Sequence, residues 1–273
     1  MDLHLPYTQN PYYAEFLKNS EHSFFRTRKI LVDDIRLYTE KNCLSPDEKK
    51  DIIALYDSQV RFVDSAVKEI AATLKKKNLY RDTLIIVTSD HGEEFWDHNN
   101  FEHGHTVYNE LLHVPIIMAG NRLKHAVIKK PVNLIDILPT LLHFAHISVA
   151  NLHISGKNLL KGSPKPIFSL GTLYGDEKYC LIKDNMKIIR NTGRKKGKKG
   201  LAGYRSNEKF ELYDLAIDPF ETHNLRLEKP DLFLKLKKEL QKYKKSGDPL
   251  IGKKILPEKD SELKEKLKSL GYL

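Results

Sequence analysis

Cysteine is nearly absent. The chain has two in 273 residues, Cys43 and Cys180, in unlike contexts and without a CxxC pair. That argues against a disulfide framework and against a thiolate zinc site. No apolar run approaches the ~18 residues of a membrane span. The first residues, Met1-Asp2-Leu3-His4-Leu5-Pro6, have no basic n-region and no apolar h-region, so no signal peptide is read there. No internal repeat is present. No nucleic-acid motif accompanies the one dense basic run, Arg194-Lys195-Lys196-Gly197-Lys198-Lys199, so the net charge of +10 is read as solvated surface rather than a nucleic-acid footprint.

Hydrophobic residues make up 40%, enough for a buried core. Residues 1–25 are rich in Pro, Tyr, Asn and His and read as loop. Ser45-Pro46-Asp47-Glu48 is a helix start, with Ser45 as cap, Pro46 at the first helical position and Glu48 closing a capping box. Ile53, Tyr56, Val60, Val63, Val67, Ile70 and Leu74 follow at alternating spacings of three and four, which marks one helical face. Lys75-Lys76-Lys77 suits the helix C-terminus, and Asn78 can end it.

The period then changes. Leu84-Ile85-Ile86-Val87 is a short apolar run with β-branched residues, as expected of a parallel strand covered on both faces. A long helix feeding such a strand predicts an α/β fold, where ligands bind beyond the carboxyl ends of strands. Val114-Pro115-Ile116-Ile117-Met118 predicts a second strand, and Leu134 to Phe144 a helix containing Pro139. Residues 151–166 read as a linker. Beyond them, Ile167–Leu170, Tyr179–Ile182, Lys187–Arg190 and Phe210–Tyr213 are strand-like, and Leu227–Tyr243 reads as a charged helix. The division expected is an α/β unit over 1–160 and a smaller α+β unit over 161–273.

Chemistry concentrates after the first strand. Asp90, His91, Glu93, Glu94, Asp97, His98, Glu102, His103, His105 and Glu110 crowd one segment. Asp90 and His91 at the strand's end can offer oxygen and nitrogen to one divalent cation, and Gly92 lets the backbone turn. Two ligands are fewer than any cation needs, and the bland alternative is an acidic, His-rich solvated loop. His103 and His105 can donate to an anionic ester or protonate a leaving group, or simply pack against Phe101 or Tyr108. His98, His113, His125, His143, His146, His153 and His223 are read as packing residues, and His4 alone as a loop histidine.

Taken in order, these segments resemble the sulfatase branch of the alkaline-phosphatase-like superfamily. Asp2-x-His4-x-Pro6-Tyr7 is similar to the family's D-x-H-x-P-Y turn, and Leu55-Tyr56-Asp57 with Val63-Asp64 to its helix pattern. Thr88-Ser89-Asp90-His91-Gly92-Glu93 resembles its metal-binding T-S-D-H-G-E motif. Val114-Pro115 resembles the opening of its next strand, and Asp136-Ile137-Leu138-Pro139-Thr140 its D-I-x-P-T. Glu211-Leu212-Tyr213-Asp214-Leu215 with Asp218-Pro219 and Glu221-Thr222-His223-Asn224-Leu225 resembles E-L-Y-D-L-x-x-D-P-x-E-x-x-N-L. Leu267 to Tyr272 resembles a bacterial sulfatase ending.

The resemblance implies a partial three-layer αβα sheet domain followed by a small α+β subdomain. It implies Asp90 and His91 as ligands of one divalent cation, calcium first, with magnesium, manganese and zinc open because many sulfatases have Asn where His91 stands. It implies His4 as a contact of the sulfate or the leaving oxygen. His105, with His103 beside it, stands where the family has a sulfate-binding lysine. The substrate implied is a sulfate ester, and intact relatives are often exported.

The family's nucleophile, a Cys or Ser in C/S-x-P-S-R converted to formylglycine, has no counterpart. Cys43-Leu44-Ser45-Pro46 has the wrong spacing, Cys180 lies in no such motif, and Asp33-Asp34 falls downstream of the turn that the family's aspartate pair precedes. The expectation is a C-terminal portion of a sulfatase, begun at an internal methionine, inactive alone and poorly folding through exposed apolar edges. The alternatives are a phosphodiesterase or phosphoethanolamine-transferase relative, and a non-catalytic anion-binding remnant.

Overall fold

The computed structural model describes residues 3, 4, 7, 10–16, 44–121, 123–148, 154–161, 166–173, 175–196 and 208–251, with backbone only at 194–196 and 245–251. Asp2, Asp33-Asp34, Cys43, His153, Lys198-Lys199 and Leu267 to Tyr272 lie outside the described residues, as do the side chains of Arg194, Lys195 and Lys196.

The architecture is mixed α/β, as expected. A short helix α1 (Tyr13–Phe16) precedes the long helix α2 (Pro46–Lys76). The capping box at its start is formed. Ser45 Oγ accepts from the Glu48 N–H at 3.3 Å, and the Glu48 carboxylate accepts from the Ser45 N–H at 2.7 Å. Asn78, just past the helix, takes the left-handed conformation at φ 58°, which Asn tolerates better than most residues.

The buried face of α2 differs from the expected one. Its first half buries Ile52, Ala54, Leu55, Ser58 and Gln59. Ile52 and Leu55 pack with Tyr7, Tyr13 and Phe101, and Tyr56, Phe95 and Trp96 border that cluster. Along the rest of the expected stripe Val63, Val67 and Leu74 are only half-buried, and Val60 and Ile70 are 43% and 56% exposed. Spacing alone located an amphipathic helix. It could not say that the packing partners, mostly aromatic, would meet only the first three turns and one edge of the stripe.

A short connection leads to β1 (Ile85–Thr88), which pairs antiparallel with β4 (Ile116–Ala119), Ile85 opposite Ala119 and Thr88 opposite Ile116. The expected parallel, doubly covered strand is corrected on both counts. Ile85, Ile86 and Val87 are half-buried and Thr88 is exposed. The physical reason is that the chain reverses between residues 89 and 115 and returns beside β1. An apolar run reports burial, not strand direction.

The reversal holds a tight ladder of β2 (Glu94–Phe95) with β3 (Phe101–Glu102), then one turn of helix, α3 (Asn109–Leu112). After β4, a 3-10 turn (Leu134–Asp136) runs into α4 (Ile137–Phe144). The D-I-L-P-T segment acts here as an anchor. The buried Thr140 hydroxyl donates to the Asp136 carbonyl at 2.6 Å and accepts from the Leu159 N–H at 2.8 Å. Asp136 accepts from the Lys157 N–H at 2.7 Å.

Four antiparallel strands follow in a meander: β5 (Ile167–Leu170), β6 (Gly175–Lys183), β7 (Met186–Lys196) and β8 (Phe210–Asp214). One face packs Leu181, Ile188 and Leu212 against Leu236 and Leu240 of helix α5 (Pro230–Ile251). The other packs Cys180, Ile189 and Tyr213 against Val107, with Tyr108 and Leu112 at the margin. The second face therefore supports the segment between β1 and β4. Among the described residues, no helix is long and apolar enough to cross a membrane.

Candidate active site at the end of the first strand

Thr88 ends β1, and the backbone turns at once. Ser89 Oγ donates to the His91 carbonyl at 2.6 Å, and the His91 N–H donates to Asp90 Oδ1 at 3.1 Å. Gly92 then passes so close to α3 that a Cβ there would lie 2.0 Å from the Glu110 carbonyl oxygen. Its N–H donates to the Leu111 carbonyl at 2.9 Å. The strand-end turn is thus pinned against the far arm of its own loop.

His91 Nδ1 lies 2.8 Å from the Gly92 carbonyl. A carbonyl only accepts, so Nδ1 carries the hydrogen and Nε2 is the nitrogen with a ligating lone pair in the neutral ring. Nε2 stands 3.8 Å from Asp90 Oδ1. Two donors on one cation, each about 2.0–2.6 Å from it, stand roughly 3–4 Å apart. The pair therefore fits a shared cation. Among the described residues no group of three or more His, Cys, Asp or Glu is arranged to hold one.

His103 and His4 join this corner. The His103 ring stacks on His91 with centroids 4.2 Å apart, and His4 meets His103 edge-on at 5.0 Å. His103 Nδ1 lies 2.9 Å from Glu93 Oε1, and Tyr7 donates its hydroxyl to Glu93 Oε2 at 2.9 Å. Burial works against the His103 imidazolium, but the hydrogen bond and charge of Glu93, helped by Glu102 and Asp90, outweigh it and raise its pKa.

His105 is placed differently. Side-chain exposure falls from 67% at Asp90 and 35% at His91 to 11% at His103 and 1% at His105. His105 Nε2 donates to Glu94 Oε2 at 2.7 Å, and Lys178 Nζ donates to the His105 carbonyl at 2.8 Å. Glu94, fully buried, also accepts from the N–H groups of His98 and Asn100 at 3.0 and 2.8 Å. His103 lies at the floor of the corner and His105 beneath it.

Around the corner the backbone is strained. Trp96, Asn99 and Glu102 all have positive φ, at 68°, 67° and 80°. Asn tolerates this region; Trp and Glu cost on the order of 1 kcal/mol or more each there. The Glu94 bonds and the packing of Trp96 on Phe101 hold the turn.

A second network fastens the loop to the antiparallel sheet. His98, read from sequence as packing, does stack on Tyr108 at 3.7 Å. Its Nδ1 also meets Glu110 Oε1 at 2.8 Å and its Nε2 the Glu221 carbonyl at 3.2 Å. Both partners accept, so both nitrogens donate and the ring is cationic. Burial opposes that charge, but Glu110, with the Glu221 carbonyl and Glu94, raises the pKa from 6.5 to about 9. Since the folded value lies above the unfolded one, the stabilisation is fully present below pH 6.5 and lost as pH rises through about 9. Urea denaturation is expected to show a loss of about 1–2 kcal/mol over that window, allowing for solvent screening, and His98→Asn should flatten the slope.

Glu221, Lys187 and Glu211 complete this network. Lys187 Nζ meets Glu221 Oε1 at 2.7 Å with both side chains fully buried. Tyr108 and Tyr213 both donate to Glu211 Oε2. Sequence reasoning quoted Glu211 and Glu221 within a motif but gave them no role. Glu221, past the end of β8, meets Lys187 of β7, and Glu211 meets Tyr108 from 103 residues away; no local pattern reports such pairing.

The sulfatase family's sequence model matches residues 1–147. Arylsulfatase K of Rattus norvegicus is 32% identical over 228 residues, covering 77% of this chain and 38% of that protein. The chain thus spans well under half the length of the curated relatives it matches. Among solved structures, a protein in complex with its substrate D-Glucosamine-2-N, 6-O-disulfate aligns with a TM-score of 0.60 and 20% identity, over 78% of this chain and 45% of that one. The phosphonate monoester hydrolase of Silicibacter pomeroyi aligns with a TM-score of 0.59 and 21% identity, over 75% and 43%. The two likenesses show the alkaline-phosphatase-like α/β fold, and the family match over more than half of the residues, with the 32%-identical relative, shows that the chain belongs to the sulfatase family.

Proposed function

We propose that this chain carries the cation-holding and histidine-bearing part of a sulfate-ester hydrolase site. The observation that carries the reading is the convergence of Asp90, His91, His103 and His4 where β1 ends. The family match supports sulfate over phosphate or phosphonate esters; the fold alone does not choose.

Asp90 Oδ1 and His91 Nε2 would hold one divalent cation, calcium first. When bound, it would supply positive charge to polarise the sulfate oxygens. His103 donates a hydrogen bond to an anionic oxygen of the ester. His4 serves the leaving oxygen as a proton donor. The buried His105 positions the loop through Glu94 and does not touch substrate. The chain contains no C/S-x-P-S-R segment. On this reading the formylglycine nucleophile and the remaining cation ligands come from outside these 273 residues, and the chain alone does not turn over.

Calorimetric titration of the full chain with calcium chloride tests this. Weak binding is expected, in the range of about 0.1–1 mM, because two protein ligands leave most of the shell to water. Asp90→Asn with His91→Gln should weaken it at least tenfold. No binding of calcium, magnesium, manganese or zinc by the wild-type chain overturns the cation assignment. Turnover of an aryl sulfate by the chain alone overturns the half-site reading.

A further inference from the structure

The turn that joins β5 to β6 runs through Gly171 and Gly175, which take positive φ of 108° and 74°. Glycine reaches that region without strain, so a tight reversal is made there. The turn is fastened to its own sheet. The buried Thr172 hydroxyl donates to the Asp176 carbonyl at 3.1 Å, and the Gly171 N–H donates to the Lys178 carbonyl at 3.2 Å. It is also fastened to the strand-end loop. The Leu173 N–H donates to the Gly104 carbonyl at 2.6 Å, and Lys178 Nζ donates to the His105 carbonyl at 2.8 Å. Gly104 directly follows His103, the floor of the corner. Leu173 thus stands one hydrogen bond from the residue next to that floor. Its backbone is held, but its side chain is not covered. Leu173 is 52% exposed, whereas Thr172 is 7% and Lys178 5%. A single exposed leucine is ordinary on any surface. This one is set apart because buried bonds on both sides hold it beside a corner whose gathered side chains, Asp90, His91, His103 and His4, are all polar.

We infer that Leu173 walls the corner on the side of the antiparallel sheet and meets the organic group of the ester, selecting esters whose sulfate sits on an apolar, aromatic group. The inference rests on the reading of the corner as the seat of the sulfate head. An ester presents an anionic head and an organic group, and the polar side chains of the corner answer only the first. Small-molecule sites pair a few such groups with apolar walls. Leucine offers no partner to a hydroxyl, so a hydroxylated group pressed against it loses water without compensation. A phenyl ring in the same place buries apolar area and leaves nothing unpaired. Because the turn is already fastened, little ordering is left to oppose that contact.

NMR titration of the full chain in calcium chloride tests it, with phenyl sulfate against methyl sulfate at matched ionic strength. The two esters share one anionic head and differ only in the organic group. The wild type is expected to bind phenyl sulfate about fivefold more tightly, the scale set by covering one half-exposed leucine. Leu173→Asn should bring that ratio close to one and leave the affinity for methyl sulfate unchanged. Leu173→Ala should give a ratio between the two. Equal affinities in the wild type, or an unchanged ratio in folded Leu173→Asn, overturn the inference. Should Leu173→Asn not fold, an unchanged ratio in Leu173→Ala does so instead. Equal weakening of both esters also overturns it, because Leu173 would then shape the corner rather than meet the organic group. Binding of neither ester by the wild type overturns the reading of the corner as a sulfate seat and takes this inference with it, a failure distinct from the others.

Discussion

Glu221→Leu is expected to cost about 3–5 kcal/mol of stability, the range seen when one partner of a buried ion pair is removed. Lys187 is fully buried, and its ammonium lies 2.7 Å from Glu221 and 3.2 Å from Asn109 Oδ1. Leucine at 221 would leave that charge with a neutral amide alone. The Asn109 N–H, which donates to Glu221 Oε2 at 2.6 Å at the start of α3, would lose its acceptor as well. The effect should reach the strand-end corner, because α3 is what Gly92 rests on. Equilibrium urea denaturation checks the magnitude, and limited proteolysis between residues 96 and 113 checks the loosening. The double variant Glu221→Leu with Lys187→Met should recover most of the loss, since replacing both members of a buried pair by apolar groups is often close to neutral. A single variant within about 0.5 kcal/mol of wild type would mean that the pair is not buried in solution.

How far the sequence revealed this arrangement can be judged residue by residue. Ser45, Pro46 and Glu48 announced the start of α2 because capping is local chemistry, complete within four residues. Ile167–Leu170 and the strands containing Tyr179–Ile182, Lys187–Arg190 and Phe210–Tyr213 were legible for the same reason. The direction of β1 was not, since pairing with Ile116–Ala119 is decided by a reversal about thirty residues long. At the site, Asp90, His91 and His103 were singled out by residue type and by family motif, and His4 by the motif alone. Their convergence is visible only in three dimensions. His103 and His105 looked interchangeable in sequence because they are two residues apart. Burial separates them: one rests on Glu93 at the floor of the corner, the other is sealed against Glu94. Glu221 and Lys187 were invisible as a pair, because nothing near either residue names the other.

Gly92→Ala should be the most damaging change at the corner itself. The reason is space rather than backbone conformation: a Cβ would sit 2.0 Å from the Glu110 carbonyl oxygen and 3.0 Å from its carbon. Both are backbone atoms, so no rotamer can relieve the clash. Either the strand-end turn or α3 must move. Moving α3 would disturb the Glu110 contact with His98, the Asn109 contact with Glu221 and the seating of Leu111. Moving the turn would break the Gly92–Leu111 hydrogen bond and displace Asp90 and His91. Overpacking of a tight site costs about 1–3 kcal/mol, and a rigid backbone on both sides puts this case at or above the upper end. A thermal midpoint several degrees lower is expected. On the proposed cation reading, calcium binding should be lost even where the fold survives, because a pair separated by 3.8 Å tolerates little change before the two donors could no longer share one cation. Calorimetry and thermal denaturation on the same sample separate the two effects. A Gly92→Ala chain with wild-type melting and wild-type calcium affinity would contradict the close approach on which this corner is built.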